Sequence, residues 1–162
     1  MAYLMTIDSG NTHIKWGLHD GSHWLEQGTL AQDKSILLQQ AWKSLPTPHD
    51  IIISNVSSIE TKKKLSEFLS CWKIKPRWIT PLAYQCGVRN YYADPSLLGS
   101  DRWAALIAAW NWQQKGCLVI DVGTAMTVDA LSDTGEFLGG IIVPGFELMR
   151  RALTTNITTL QN

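Results

Sequence analysis

A short acidic turn occurs twice in this sequence, and the repetition restricts the folds that the chain can adopt. The residues I-D-S-G-N at 7–11 are matched by I-D-V-G-T at 120–124 at a constant offset, and Leu131 falls on Leu18. In both copies an apolar strand ends in an acid, turns on small residues and continues as a second strand. A repeated unit of this kind predicts two related halves in one chain.

Each acidic turn has two interpretations. One D-x-G is a weak signal, because Gly and Asn adopt positive φ at little cost and such hairpins are common without any ligand. A phosphate-binding turn has the same form: the acid serves a metal ion, and the backbone N–H groups face an anion. Two turns in equivalent places favour the second interpretation. They could face each other across a cleft and hold a polyphosphate from both sides.

Hydrophobic periodicity predicts an α/β fold with a mixed sheet. The first half is expected to contain strands at 3–8, 12–18, 23–30, 51–53 and 77–79, with helices at 33–45 and 57–69. The second of these helices would begin at a capping box of Ser57 and Glu60. A connector over 80–97 is expected to complete the first half, and the second half is expected to contain a helix from 98 or 99 to about 114, a strand over 137–143 and a helix over 144–153. Gly116 is placed to end the long helix.

Composition excludes several classes of protein. Fourteen basic residues balance fourteen acidic ones, so no net field favours nucleic acid or an anionic membrane. The three cysteines are isolated and form neither a disulfide framework nor a zinc motif. No segment approaches the ~18 apolar residues of a membrane span, and the N-terminus lacks the pattern of a signal peptide. These features predict a cytoplasmic protein without nucleic-acid or membrane partners.

Four motifs resemble, in order, those of the type III pantothenate kinases, which belong to the superfamily of acetate kinase, sugar kinases, Hsp70 and actin. D-x-G-N-T-x-x-K corresponds to residues 8–15, and Y-x-x-P-x-x-L-G-x-D-R to residues 92–102. D-x-G-T-A-x-T-x-D corresponds to residues 121–129, and G-x-x-x-G-G-x-I-x-P-G to residues 135–145. Together they cover essentially the whole chain.

The resemblance implies a ribonuclease-H-like architecture of duplicated βββαβα halves with mixed sheets. Residues 1–97 would form the first half, and residues 98–162 a linking helix and the start of the second. The implied reaction transfers a phosphoryl group from ATP to pantothenate, giving 4′-phosphopantothenate, the first step toward coenzyme A. Mg²⁺ and a monovalent cation, K⁺ or NH₄⁺, are the implied cofactors, and the family works as a homodimer. The alternative is a non-catalytic relative, either a regulatory accessory factor or a truncated remnant that only binds.

The resemblance also implies roles for single residues. Asp101 would be the general base for the substrate hydroxyl. Asp121 resembles the ligand of the monovalent cation, and Asp8 would serve Mg²⁺, through water. The implied substrate-binding residues are Tyr92, Gly99, Ser100, Asp101 and Arg102, and the implied ATP-binding residues are Asp8, Ser9, Gly10, Asn11, Thr12, His13, Ile14, Lys15 and Thr124.

Several of these residues have a structural alternative. Asp101, at the start of a helix, could simply complement the helix dipole. The fork of Arg102 suits the carboxylate of pantothenate but could merely pair with an acid. Tyr92 could be a packing residue and Lys15 a solvated strand residue. Asp129 is undecided between the site and the structure.

Family members continue well past the position at which this sequence ends, so the second half is expected to be incomplete. The repeat indicates the same, because the first acidic hairpin is followed by α-β-α-β and the second by a single helix. We therefore expect the 162-residue chain to be a poor or inactive kinase with an exposed apolar surface. Ile141, Val143 and Leu148 are expected to lack packing partners.

Overall fold

The computed structural model describes residues 2–156. Contacts divide the chain into two compact units, Met1–Thr80 and Pro81–Asn162. Each unit contains a five-stranded sheet with both parallel and antiparallel pairs, which confirms the predicted mixed α/β class. The division was predicted after residue 97, whereas the contacts group residues 81–97 with the second unit.

The first unit is a layered α/β structure. Its elements are β1 (Leu4–Ser9), β2 (His13–His19), β3 (Trp24–Ala31), α1 (Leu38–Trp42), β4 (Asp50–Asn55), α2 (Ile59–Leu69) and β5 (Arg77–Trp78). The strand order is β3-β2-β1-β4-β5. β1 pairs antiparallel with β2 and parallel with β4, so the acidic turn between β1 and β2 lies at the carboxyl end of two parallel strands.

One face of the first sheet forms the hydrophobic core of this unit. Side chains alternate between the faces of a strand, and β1 turns Met5 and Ile7 into the core. β4 contributes Ile51 and Ile53, which is the buried parallel strand that its β-branched run predicts. The rest of the core is supplied by β2 and the two helices: Ile14, Trp16, Leu18, Leu38, Trp42, Leu65, Phe68 and Leu69.

The first predicted helix is shorter than expected. Residues 33–45 were expected to form one helix, but a 3₁₀ turn over Gln32–Leu37 precedes the five-residue α1. Ile36 and Leu37, which suggested the helical spacing, are 62% and 44% exposed. The residues of α1 that face the core are instead Leu38 and Trp42, four positions apart.

The capping residue of α2 was predicted one position too early. The helix is capped by Ser58, whose Oγ accepts a hydrogen bond from the N–H of Thr61 at 3.1 Å. Glu60 forms an ion pair with Lys64 one turn further along. Because the segment has two adjacent serines, the sequence alone does not distinguish the two possible caps.

The second unit has a similar sheet with different helices. Its elements are β6 (Tyr84–Gln85), β7 (Val88–Asn90), α3 (Ser100–Gln113), β8 (Cys117–Val122), β9 (Ala125–Leu131), β10 (Glu136–Pro144) and α4 (Phe146–Asn156). The strand order is β6-β7-β10-β9-β8, and only the β7–β10 pair is parallel.

The predicted connector over 80–97 is partly wrong, because it contains the β6–β7 hairpin. The turn consists of Cys86 and Gly87, both at positive φ (50° and 83°). A Cβ at Gly87 would lie 2.5 Å from the indole nitrogen of Trp110, so only glycine fits under this ring. The two strands are too short to show a pattern in the sequence.

The end of α3 also differs from the prediction. Gln114 takes the left-handed conformation at φ 46°, and its N–H donates to the carbonyl of Trp110 at 2.8 Å. Gly116, the predicted terminator, lies beyond the helix, and its N–H donates to Asp133 Oδ1 at 2.8 Å.

The two faces of the second sheet differ in exposure. The face that carries Leu131 and Phe137 is buried at these two residues and at Asp129, whereas Ile142 on the same face is 61% exposed. The opposite face, which we call the open apolar face, consists of Leu118, Ile120, Val122 and Ile141, which are 64%, 57%, 53% and 58% exposed. The prediction of exposure is confirmed for Ile141 and for Leu148 on α4 (41% exposed), but it is wrong for Val143, which is half-buried.

Candidate active site

The first acidic turn is built by the pairing of β1 and β2. Asp8 is the second-last residue of β1, is half-buried and lies opposite Lys15 in the ladder. The turn is closed by the N–H of Gly10, which donates to the carbonyl of His13 at 3.0 Å. Asn11, Thr12 and His13 are exposed at its tip. The segment has the form of a phosphate-binding turn: a carboxylate at a strand end followed by solvent-facing backbone.

Gln32 fixes the conformation of this turn, and the sequence analysis missed it. Its side-chain amide donates to Ser9 Oγ at 3.1 Å and to the carbonyl of Gly10 at 2.6 Å. Its backbone N–H donates to the carbonyl of Thr12 at 2.9 Å. Only the strand register, which pairs His13 with Ala31, brings the neighbouring Gln32 to the turn, and the sequence alone does not give that register.

The second acidic turn is one residue shorter than the first. In the first hairpin the ladder closes with Ser9 opposite Ile14, whereas in the second Val122 lies opposite Met126. The N–H of Gly123 accordingly donates to a carbonyl two residues on, at 2.9 Å. The two turns are therefore related in sequence but differ in the number of backbone groups at their tips.

The shorter turn also changes the alignment of the two repeats. Leu18 pairs with Met5 in the first hairpin. Leu118, which matches Met5 at the repeat offset, pairs with Ala130. The predicted equivalence of Leu131 and Leu18 is therefore wrong by one residue.

Gly145 packs against the second turn and supports it. Its N–H donates to the carbonyl of Thr124 at 2.9 Å. A Cβ at this position would lie 2.1 Å from the carbonyl oxygen of Gly123, so a larger residue would displace the turn. Asp121 is exposed near the end of β8 and lies opposite Thr127 in the ladder. The expectation that the two acidic turns face each other stays a prediction.

The segment before α3 is organised by a buried amide. Asn90, at the end of β7, is 4% exposed; its Oδ1 accepts from the N–H of Tyr92 at 3.0 Å and its Nδ2 donates to the carbonyl of Pro95 at 3.3 Å. Asp94 then accepts hydrogen bonds from the N–H and hydroxyl of Ser96, and these bonds lower the pKa of the Asp94 carboxyl. The first part of the predicted substrate segment, from Tyr92 to Ser96, is thus held by side-chain bonds to its own backbone.

Asp101 lies in the first turn of α3, as predicted. Gly99 is the N-cap residue, Ser100 is buried, and Asp101 is half-buried. Asp101 Oδ1 accepts a hydrogen bond from the N–H of Arg102 at 2.8 Å. The carboxylate thus accepts from an N–H that has no partner within the helix, and it lies at the positive end of the helix dipole.

Arg102 forms a buried ion pair with Asp129, so the structural alternative considered for Arg102 occurs. Its Nε donates to Asp129 Oδ2 at 2.9 Å, and its Nη2 donates to Asp129 Oδ1. Arg102 is 9% exposed and Asp129 1% exposed. The hydrogen bond to Asp129 raises the pKa of Arg102, with a smaller contribution from Tyr92. The ring centroid of Phe137 lies 5.8 Å from the guanidinium carbon of Arg102 and 5.5 Å from the ring centroid of Tyr92.

The residues present suit the implied cations. Mg²⁺ usually keeps several waters and uses one or two carboxylates together with substrate phosphates, and Asp8 has that donor chemistry. Asp121 offers an exposed carboxylate beside the carbonyls of its turn, which are oxygen ligands of the kind a monovalent cation takes. Within residues 2–156, no three His, Cys, Asp or Glu side chains are grouped to hold a metal ion by themselves. The same residues contain no helix long and apolar enough to cross a membrane.

Comparison with known proteins identifies the family. A model of the type III pantothenate kinase family matches residues 4–162. The chain belongs to the type III pantothenate kinase family. It is 57% identical over 159 residues to the type III pantothenate kinase of Nitrosospira multiformis, covering 98% of this chain and 61% of that protein. It is 54% identical to the type III pantothenate kinase of Nitrosomonas eutropha, covering 98% of this chain and 62% of that protein.

The chain spans about three fifths of the length of these type III pantothenate kinases. Solved structures share the fold at low identity. A conserved putative Baf family transcriptional activator from Campylobacter jejuni is 23% identical with a TM-score of 0.55, covering 93% of this chain and 59% of that one. A putative 2-dehydro-3-deoxygalactonokinase from Sinorhizobium meliloti is 15% identical with a TM-score of 0.57, covering 96% of this chain and 58% of that one. These likenesses confirm the predicted mixed α/β fold.

Proposed function

We propose that the protein phosphorylates pantothenate at its terminal hydroxyl with ATP, giving 4′-phosphopantothenate and ADP. The observation that carries the proposal is the arrangement at the first turn of α3, in a chain of this family: the Asp101 carboxylate is fixed at the helix N-terminus, next to the anchored guanidinium of Arg102. A base for a hydroxyl and a cation for a carboxylate are the two groups that recognition of a hydroxy acid requires.

Asp101 is the proposed general base. As the substrate oxygen attacks the γ-phosphorus, a new O–P bond forms and the bond between the γ-phosphorus and the bridging oxygen of ADP breaks. The hydroxyl proton passes to the Asp101 carboxylate, whose Oδ1 is fixed by the N–H of Arg102. Phosphoryl transfer depends mainly on positioning and charge stabilisation, so the short, fixed start of α3 suits this role.

The two acidic turns are the proposed ATP contacts. Residues 8–15 provide backbone N–H groups and the ammonium of Lys15, and Thr124 provides a further contact from the second turn. Asp8 would hold Mg²⁺ through water, and Asp121 would hold K⁺ or NH₄⁺. When bound, these ions neutralise charge that develops on the transferred phosphoryl group.

Tyr92, Gly99, Ser100 and Arg102 are the proposed pantothenate contacts, with Arg102 meeting the carboxylate. Tyr92 is 36% exposed and packs against Phe137, so its ring is held while one side remains accessible. We further propose that the protein works as a homodimer in the cytoplasm.

The test is a coupled assay of ADP release with purified protein expressed from its complete reading frame, with pantothenate omitted as the control. The proposal expects pantothenate-dependent turnover and a product heavier by one phosphoryl group in mass spectrometry. If ATP and pantothenate bind in calorimetry without any turnover, the protein is a non-catalytic relative and the proposal is wrong.

A further inference from the structure

The buried pair of Arg102 and Asp129 requires an explanation beyond stability. Removing two charges from water offsets most of their attraction, so a buried ion pair contributes little net stability compared with apolar residues of similar size. Here Asp129 lies on the face of the second sheet that also carries Leu131 and Phe137, and Arg102 of α3 is buried against it. The ion pair is therefore better explained by the orientation that Asp129 gives to the guanidinium of Arg102.

We propose that Asp129 is a positioning residue for substrate recognition: it holds one edge of the Arg102 guanidinium so that the second edge meets the carboxylate of the substrate. The inference rests on the proposed function and deepens it. It assigns a role to Asp129, and it replaces the expectation that the whole fork of Arg102 is available to the substrate.

The geometry of the guanidinium carries the argument. The group is planar, with five N–H donors in fixed directions. Asp129 accepts from Nε and from one N–H of Nη2, which together form the side-on edge. The end-on edge, formed by Nη1 and the other N–H of Nη2, lies in the same plane and has the geometry to bind a second carboxylate in two-point fashion, beside Tyr92, which also interacts with the guanidinium. Phe137 lies 5.8 Å from the guanidinium carbon and limits tilting of that plane.

Gly140 provides the space in which the pair forms. β10 places Gly140 directly opposite Asp129, after a bulge between Phe137 and Gly139. A Cβ at Gly140 would lie 1.9 Å from Asp129 Oδ1, 2.7 Å from the backbone carbonyl oxygen of Val128 and 2.8 Å from Arg102 Nη2. An alanine there would displace the carboxylate and with it the guanidinium, and would press on the backbone of β9, without changing a charge. Gly140→Ala therefore separates orientation from electrostatics.

The pairing also determines how a carboxylate is recognised. Because Asp129 balances the charge of Arg102, the pair attracts distant anions weakly, and binding depends on in-plane contact with the end-on edge. We expect the site to discriminate strongly between pantothenate and the analogue in which the carboxylate is reduced to an alcohol. If the Arg102 guanidinium loses its orientation, the preference for pantothenate over the alcohol analogue should become smaller.

The first experiment needs no substrate. In ¹⁵N-labelled protein, the Nε–H resonance of Arg102, assigned by its absence in Arg102→Lys, should exchange slowly with water because it is buried and bonded to Asp129. It should be lost or shifted in Asp129→Asn and in Gly140→Ala, but not in Asp133→Asn, which removes an acid from an exposed turn of the same unit. A rapidly exchanging Arg102 Nε–H in the unmodified protein would overturn the inference, even if neither variant folds.

The second experiment measures kinetics in the same variants. Asp129→Asn and Gly140→Ala should each raise the KM for pantothenate by about tenfold or more, with the KM for ATP within about twofold. The ratio of kcat/KM for pantothenate to that for the alcohol analogue should fall in Gly140→Ala. A purely structural role predicts a lower melting temperature with both KM values and the ratio unchanged, and this result would overturn the proposal.

The two experiments distinguish the inference from the function on which it rests. If the unmodified protein has a slowly exchanging Arg102 Nε–H but does not phosphorylate pantothenate, the proposed function is wrong and the anchoring stands. If turnover is normal and Gly140→Ala leaves the KM for pantothenate unchanged, the positioning role is wrong and the function stands.

Discussion

Replacing Gln32 by Ala tests whether the first acidic turn is held for ATP by a residue outside the motif. The substitution removes the side-chain amide that donates to Ser9 Oγ and to the carbonyl of Gly10. It keeps the bond from the backbone N–H of Gln32 to the carbonyl of Thr12, so the pairing of the strands persists. The expected effect is a loosened turn in a folded protein.

The size of the effect follows from the two lost bonds. Each contributes on the order of 0.5–1.5 kcal/mol net, so about 1–3 kcal/mol of preference for the observed conformation of the turn is removed. Since 1.4 kcal/mol corresponds to a factor of ten in affinity, the KM for ATP should rise roughly fivefold to a hundredfold. Gln32→Glu has the same shape but places a carboxylate against the carbonyl of Gly10, and it should cost more than Gln32→Ala.

The assay is steady-state kinetics with ATP varied at saturating pantothenate and then the reverse. Gln39→Ala is a matched control, because Gln39 is exposed on α1. A Gln32→Ala protein whose KM for ATP stays within twofold of the unmodified value would refute the reasoning. So would an equal rise in the KM for pantothenate, because it would indicate a general loss of structure.

Three further predictions concern the rest of the site. Asp101→Asn should lower turnover by ~10²–10⁴-fold while calorimetric ATP binding persists, and nearly full turnover would remove Asp101 from the mechanism. Turnover should be higher in K⁺ or NH₄⁺ than in Na⁺ at fixed ionic strength, and equal rates in the three salts would contradict the role of Asp121. Gly145→Ala should raise the KM for ATP by displacing the second turn, through its contacts with Gly123 and Thr124. An unchanged KM for ATP in that variant would show that the turn tolerates the displacement.

The parts of the fold that were predicted correctly are those with a strong local pattern. Ile51 and Ile53 belong to a β-branched run that can only be buried, and β4 lies there. The acid of each turn directly follows an apolar run, so Asp8 and Asp121 both lie at strand ends. Where local signals compete, prediction failed: Leu37 fits a helical stripe, but the chain forms a 3₁₀ turn there and buries Leu38 instead.

The candidate site was predictable only where a residue and its role are adjacent in sequence. Asp101 could be placed at a helix start from its own segment. The partner of Arg102 lies 27 residues away, and Gln32 acts on a turn more than twenty residues before it. Such pairs depend on strand register, which a single turn can shift by one residue, as the shorter turn after Asp121 demonstrates. Gly140 is another example. The need for glycine at this position follows from the close approach of Asp129 on the neighbouring strand, which the sequence alone does not reveal.

Because of the open apolar face, the two units are expected to differ in their heat capacity of unfolding. In the first unit the corresponding side chains, such as Met5 and Ile7, are 0% and 2% exposed, whereas Leu118 and Ile120 are 64% and 57% exposed. The heat capacity of unfolding arises mainly from apolar surface that becomes hydrated when the chain unfolds, and these second-unit side chains are already largely hydrated. For this 162-residue chain the heat capacity increment should therefore fall below the usual ~12–15 cal/mol/K per residue, with the deficit in the second unit. Any segment or partner that covers the face would raise the increment toward that value and, with it, the curvature of stability with temperature.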